Sequence, residues 1–261
     1  RWCGHRAPGP DPTAHVTDGW YRTFFDQAAN YHWKAALPES YTEGEVTFLV
    51  DRLGLRPGDT VLDLPAGRGR LALPLADRGM RVIAADISDD GTRGLRAAVG
   101  ARPVVVVRAD MRSVPLRTRV GAAYCMGNSF GYFPVDGVER FLAEVARLLR
   151  PGARFVMESA TVAESMTASF AERTEHDFGG VRVVAHHRMD PEHERVVSEL
   201  EVTDAAGVRM LTIDQLVLPS ARIAALVEAA GLEVDALLGG IDGRQYDAEA
   251  GSLLVVAHRP A

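Results

Sequence analysis

Lysine is almost missing from this chain: of 29 basic residues only Lys34 is lysine, and the rest are arginine. The arginines form no run, and the net charge is −6. A phosphate backbone would find nothing continuous to grip, so no nucleic-acid partner is expected. Cysteine is as scarce. Cys3 and Cys125 stand far apart, offer no metal-ligand spacing and no disulfide framework, and fit a reducing compartment. No apolar run approaches the roughly 20 residues that a membrane helix needs. The N-terminal arginines have no apolar stretch behind them, so no membrane association and a cytoplasmic location are expected. Metal-binding patterns are lacking too. Asp214 is isolated, and His186 and His187 on one presumed strand point to opposite faces. Internal repeats and low-complexity segments are also absent.

What is present is a large apolar fraction, 47% of 261 residues, enough for one sizeable α/β domain or a domain with a modest insertion. The chain is organised around Val61 to Ser88. Val61–Leu64 is a short apolar run that stops at Pro65-Ala66-Gly67-Arg68-Gly69. Leu71, Leu73, Leu75 and Ala76 then supply a helix that Gly79 ends, a residue suited to a left-handed C-cap. Pro74 is tolerable there only in the first helical turn. A second apolar run from Met80 ends at Asp86. Strand, glycine turn, helix and strand in this order put bare backbone amides and an acid at the carboxyl edge of a parallel sheet. That is a nucleotide-type binding site.

Along the rest of the chain, residues 1–17 carry three prolines and no periodicity and read as an arm. Residues 18–57 look helical in two pieces and form a candidate lid. Asp18 can cap a helix bearing Trp20, Tyr21, Phe24 and Phe25. Thr42 and Glu45 have the spacing of a capping box. Residues 58–169 and 217–261 alternate apolar strands with amphipathic helices, the signature of a parallel sheet covered on both faces. Strands are expected at Val104–Val107, Val120–Met126, Arg154–Met157, Leu232–Leu238 and Leu253–His258. Helices are expected at Gly91–Val99, about Val138–Leu149, and from Pro219 to Gly231. Residues 170–216 change character. Extended segments joined by turn-like pieces predict an antiparallel β insertion between the fifth strand and the last helix, serving as a cap or an oligomer interface. The fold expected is α/β, a Rossmann-like doubly wound sheet of seven mostly parallel strands.

Gly67-x-Gly69-x-x-Ala72 formally satisfies a dinucleotide fingerprint, a weak signal alone. Three features point elsewhere: Asp63 at the end of the first strand, Pro65 in the turn, and the pair Asp110-Met111 after the third strand. That pair can accept a hydrogen bond from an adenine amino group and pack on the ring. Asp63-x-Pro-Ala-Gly67-x-Gly69, Asp86 and Asp110-Met111 together resemble the class I S-adenosylmethionine-dependent methyltransferases. Gly127-Asn-Ser-Phe-Gly-Tyr-Phe133 is similar to a sequence of bacterial small-molecule methyltransferases, several of which act in natural-product pathways, including amine N-methylation in antibiotic biosynthesis. The resemblance runs from about Tyr21 to His258. Gly121 and Ala66 depart from it, where many relatives carry an acid and a cysteine.

The resemblance implies S-adenosylmethionine as cofactor. Gly67 and Gly69 would let amides approach its methionyl end, and Asp63 would balance its ammonium. Asp86 would take both ribose hydroxyls and Asp110-Met111 the adenine. Ala66, Ile87, Met126 and Phe130 would complete the cofactor site. Asn128 and Tyr132, with Tyr31 and His32 from the lid, are the candidates for orienting a small-molecule acceptor, and Phe130 or Tyr132 for walling its pocket. An amine acceptor needs only to arrive neutral, whereas a hydroxyl needs a general base. N-methylation is therefore expected ahead of O-methylation. Two other readings remain open: an NAD-dependent oxidoreductase resting on the fingerprint, and a non-catalytic cofactor-binding subunit. A homo-oligomer built through the insertion is a further expectation.

Overall fold

The structure is a computed structural model that describes residues 19–25 and 38–261. Tyr31, His32, Asp18 and the arm 1–17 therefore lie outside the described residues. The first helices among the described residues are a one-turn helix, α1 (Tyr21–Phe24), and a long helix, α2 (Glu39–Leu53). There follow β1 (Thr60–Asp63), α3 (Ala72–Asp77), β2 (Arg81–Asp86), α4 (Asp89–Ala98), β3 (Val104–Arg108) and β4 (Val120–Cys125). After a 3-10 turn at Phe130–Tyr132 come α5 (Val135–Leu148), β5 (Leu149–Ser159) and α6 (Ala163–Ser169). The chain then forms β6 (Arg173–Asp177), β7 (Arg182–Asp190), β8 (Arg195–Asp204) and β9 (Gly207–Leu216). It closes with α7 (Ser220–Ala229), β10 (Glu233–Leu238) and β11 (Leu253–His258).

Seven strands form one sheet in the order β3-β2-β1-β4-β5-β11-β10. All pair in parallel except β11, which runs antiparallel to both β5 and β10. Period-2 alternation sends Leu62, Ala123, Cys125 and Phe155 to a core shared with α5 and α7. Val61, Val82, Tyr124 and Val156 go to the core beneath α2, α3 and α4. Both faces are covered, which is why these strands read as continuous apolar runs. Since β1 lies between β2 and β4, the winding reverses there. The crevice at the carboxyl ends of β1 and β4 is where such sheets hold ligands.

The segment after α6 folds as a separate four-stranded antiparallel sheet, ordered β6-β7-β8-β9. One of its faces, carrying Val183, Ala185, Leu200, Val202 and Leu211, packs on Phe24 of α1. The insertion and the N-terminal aromatics thus share a small core of their own.

Several local expectations are corrected. Helix α2 starts at Glu39 behind Pro38, whose fixed φ of −55° places it at the N-cap. Thr42 therefore lies inside the helix and makes no capping box. Its hydroxyl and the Glu45 carboxylate instead receive Arg70. Strand β5 begins five residues earlier than Arg154, with the register against β4 shifting between Val120 and Ala122. Helix α6 was not anticipated. Pro74 does fall in the first turn of α3, and Gly79 adopts φ 88° just past its end.

The Glu45–Arg70 pair joins α2 to the loop before α3 with side chains only 1% and 17% exposed. Breaking such a pair strands a charge away from water, so Glu45→Ala is expected to destabilise the protein by about 3 kcal/mol. Adding Arg70→Met should recover part of the loss. Equilibrium urea unfolding measures both; a single variant indistinguishable from the parent would contradict the buried pair.

Candidate functional site

The turn after β1 is clipped to both neighbouring strands by its own backbone. The Leu64 amide donates to the Tyr124 carbonyl at 3.0 Å and the Ala66 amide to the Ala85 carbonyl at 2.9 Å. Beyond it, the Gly67 N–H donates to Asp86 Oδ2 at 2.6 Å and the Ser88 N–H to Asp86 Oδ1 at 2.8 Å. Asp86 is thus anchored at the tip of β2 and buried, and it lines the crevice. Ser88 in turn caps α4 by accepting from the Gly91 N–H at 2.9 Å. Its hydroxyl donates to the Phe25 carbonyl at 3.0 Å, which ties the N-terminal segment to the same tip.

The two turn glycines serve different needs. Gly67, with φ 56°, faces the crevice. Gly69, with φ 83°, is required by packing: a Cβ there would come within 2.3 Å of Leu95 Cδ1 on α4. Its glycine thus serves helix–turn contact rather than the approach of a ligand.

After β3, Asp110 does not stand alone. The Arg112 side chain bonds both its oxygens, at 3.0 and 2.7 Å, and the Arg112 amide adds a third bond at 3.0 Å. Burial pushes the Asp110 carboxyl up, but Arg112, with Arg22 beyond it, outweighs that and holds it below its ordinary value. Arg112 also donates to the Tyr21 hydroxyl at 2.6 Å and lies 4.4 Å from the centre of the Phe133 ring. One guanidinium therefore connects the end of β3, α1 and the turn after β4.

At the tip of β4, the Gly127 N–H donates to Glu158 Oε2 at 2.8 Å. Burial raises the Glu158 carboxyl above its ordinary value, against the pull of that bond. Asn128 adopts φ 57°, a conformation asparagine tolerates better than most residues. Its Oδ1 accepts the Ala160 N–H at 2.8 Å, fastening the tip of β4 to β5. Tyr132 packs edge-on to Trp20, with ring centres 5.4 Å apart, and 5.3 Å from the Phe25 ring.

These pieces enclose a cavity of about 320 Å³. One half is lined by Gly67, Asp86, Ile87, Asp110, Met111 and Gly127, the other by Phe24, Phe25, Tyr132, Phe133, Ile213 and Gln215. Tyr21, Asn128 and Ser129 line it as well. Of the residues singled out from sequence, Gly67, Asp86, Ile87, Asp110, Met111, Asn128 and Tyr132 meet there. Asp63 and Met126 do not line it: both belong to the α2 side of the sheet, where Asp63 lies near the buried Tyr124 phenol. Ala66 and Gly69 sit behind the turn, and Phe130 is 1% exposed in the core, so of the two candidate wall residues it is Tyr132 that reaches the cavity. Arg112, Ile213 and Gln215 were missed. For Arg112 the signal was its spacing of two from Asp110. No local signal places β9 over the cavity, because that depends on how the insertion docks. Among the described residues no group of three His, Cys, Asp or Glu could hold a metal, and no helix is long and apolar enough to cross a membrane.

The first half suits an adenosyl group. Asp86 brings a carboxylate, the acceptor that ribose hydroxyls need, to the cavity wall, Met111 offers an apolar face beside an acid, and Gly127, with φ 79°, has open space where a Cβ would be. Comparison with known proteins agrees. Residues 61–152 match the methyltransferase domain family. A demethylmenaquinone methyltransferase of Beutenbergia cavernae is 36% identical over 109 residues, a match that spans 41% of this chain and 43% of that enzyme. The cypemycin N-terminal methyltransferase of a Streptomyces species is 28% identical over 77% of this chain and 84% of its own. The fold superimposes on the CcbJ methyltransferase of Streptomyces caelestis with a TM-score of 0.77 and 20% identity, covering 92% of this chain and 98% of that one. It also matches a sugar N-methyltransferase of Streptoalloteichus with a TM-score of 0.61 and 20% identity, over 100% and 99% of the two chains.

Asp86→Asn exchanges a carboxylate for an amide whose NH2 must oppose one of two backbone donors. Because hydrogen bonds to a charged acceptor contribute about 1.5–3 kcal/mol each, titration calorimetry should show S-adenosylhomocysteine binding weakened about 10- to 100-fold. Unchanged affinity would separate Asp86 from the ligand. The glycine turn locked to an acid at the tip of β2 lies within the matched stretch, and residues 61–152 carry a methyltransferase domain.

Proposed function

We propose that the protein transfers a methyl group from S-adenosylmethionine to an amine nitrogen of a small molecule, in a biosynthetic pathway of the natural-product type. The observation that carries this is the single cavity whose two halves, one fitted to an adenosyl group and one aromatic, meet over Gly127, Asn128 and Ser129. When bound, the cofactor supplies a methyl group on a sulfonium, activated for displacement by a nucleophile's lone pair. The protein's own task is alignment and exclusion of water. Asp86, Ile87 and Met111 hold the adenosyl end. The fastened tip of β4 fixes the level at which the halves join, and Phe24, Phe25 and Tyr132 keep the acceptor side dry.

Nitrogen is favoured over oxygen by the state of the titratable groups on the wall. Asp110 is committed to Arg112, and burial, more than the neighbouring Cys125, pushes the Tyr132 phenol well above its ordinary value. Neither is poised to take a proton from a hydroxyl, and a free amine needs no such help. The cypemycin N-terminal methyltransferase and the sugar N-methyltransferase, by their names, also modify nitrogen. Asn128, with Oδ1 engaged by Ala160, lines the cavity and acts as a positioning residue. The insertion serves as the cap of the acceptor half.

Methyl transfer to matched amines, alcohols and phenols, read as S-adenosylhomocysteine formed, tests the proposal. Amines are expected to turn over, with kcat/KM rising about tenfold per pH unit below the amine's own pKa as the free base grows. Preferential turnover of phenols or alcohols would contradict it.

A further inference from the structure

The acceptor half of the cavity has a chemical character that narrows the acceptor itself. Five aromatic side chains, Tyr21, Phe24, Phe25, Tyr132 and Phe133, line the cavity together with Ile213. Aromatic ring faces carry partial negative charge and attract cations. This wall already holds one cation in that way: the Arg112 guanidinium sits 4.4 Å from the centre of the Phe133 ring.

The charged groups point in the same direction. Among the described residues, those lining the cavity include two carboxylates, Asp86 and Asp110, and no Lys, Arg or His. The partly buried arginines bonded to the lining are each paired with an acid, and the exposed Arg22 shares Asp110 with Arg112 at 3.5 Å. Arg112 is paired with Asp110 at 2.7 Å, and Arg195, which donates to the Phe133 carbonyl, is paired with Asp214 at 2.6 Å. A phosphate-bearing acceptor would have to lie beside carboxylates, or pull Arg112 or Arg195 away from a half-buried partner. Either is costly at low dielectric. An ammonium group meets the opposite situation: aromatic rings, the neutral amide of Gln215 and no cationic side chain among the described lining residues.

Resting on the methyltransferase function proposed above, we propose that the acceptor is an amine on an apolar body that is held in its cationic form against these rings, and is not linked to a nucleoside diphosphate. The ammonium is the resting form that the rings hold. Transfer proceeds from the free base, which enters after its proton has passed to bulk water, and the methylated product, a cation as it forms, suits the same rings.

Three probes test this by titration calorimetry on protein saturated with S-adenosylhomocysteine: benzyltrimethylammonium, its uncharged isostere neopentylbenzene, and thymidine diphosphate. The ammonium is expected to bind about fivefold or more tightly than the isostere, the increment of a cation–π contact, and thymidine diphosphate not to compete with it. In Phe25→Leu, which keeps apolar bulk and removes a ring, the preference for the ammonium over the isostere should shrink. Equal binding of ammonium and isostere, or displacement of the ammonium by thymidine diphosphate, overturns the proposal even if Phe25→Leu fails to fold, because those arms use the parent protein. Failure of S-adenosylhomocysteine itself to bind would instead count against the methyltransferase function.

Discussion

The two backbone hydrogen bonds received by the Asp86 carboxylate, from Gly67 and from Ser88, fix the relation between three pieces of chain: the turn leaving β1, the tip of β2 and the first turn of α4. Everything at the carboxyl edge is built outward from that point. Gly67 must reach φ 56° to aim its N–H at the acid, and Gly69 must lack a Cβ so that Leu95 of α4 can close on the turn.

 Ser88 then passes the restraint on, capping α4 and bonding the Phe25 carbonyl, so that Leu95 and the aromatic N-terminal segment are both positioned from the acid that faces the ligand. One carboxylate thus both holds the fold and lines the cavity.

The acceptor half is assembled differently, by two arginines that bridge elements distant in sequence. Arg112 joins Asp110, Tyr21 and the Phe133 ring. Arg195 of β8 donates to the Phe133 carbonyl at 3.0 Å and pairs with Asp214 of β9. The turn after β4 is therefore held between the cofactor side and the insertion. Asp214, isolated in the sequence, is a structural partner in the fold. Each pair is half-buried or deeper, and in such surroundings the geometry is retained because separating the charges is costly.

The central sheet was legible in the sequence because both its faces are covered, and its strands announce themselves as apolar runs ended by glycine or acid. Asp86, Asp110 and Met111 were legible for a related reason: each follows directly on a strand, so strand position alone places it at the carboxyl edge. What alternation decides was read less well. Asp63 and Phe130 are close in sequence to the cavity, but the one belongs to the α2 side of the sheet and the other points into the core. The capping box at Thr42 failed because Pro38, four residues before it, starts α2 earlier, freeing Glu45 for Arg70. Ile213 and Gln215 carry no signature at all, since their place at the cavity follows from the docking of one sheet against α1, a long-range event.

The central claim is that one cavity holds the adenosyl group against Asp86 and presents the cofactor's reactive end to the aromatic half. A crystal structure of the complex with S-adenosylhomocysteine tests it most directly. The account predicts the ribose hydroxyls on the Asp86 carboxylate, the adenine beside Met111, and the sulfur at the level of Gly127 to Ser129, facing Tyr132. A ribose placed away from Asp86, or a sulfur turned from the aromatic half, would contradict it.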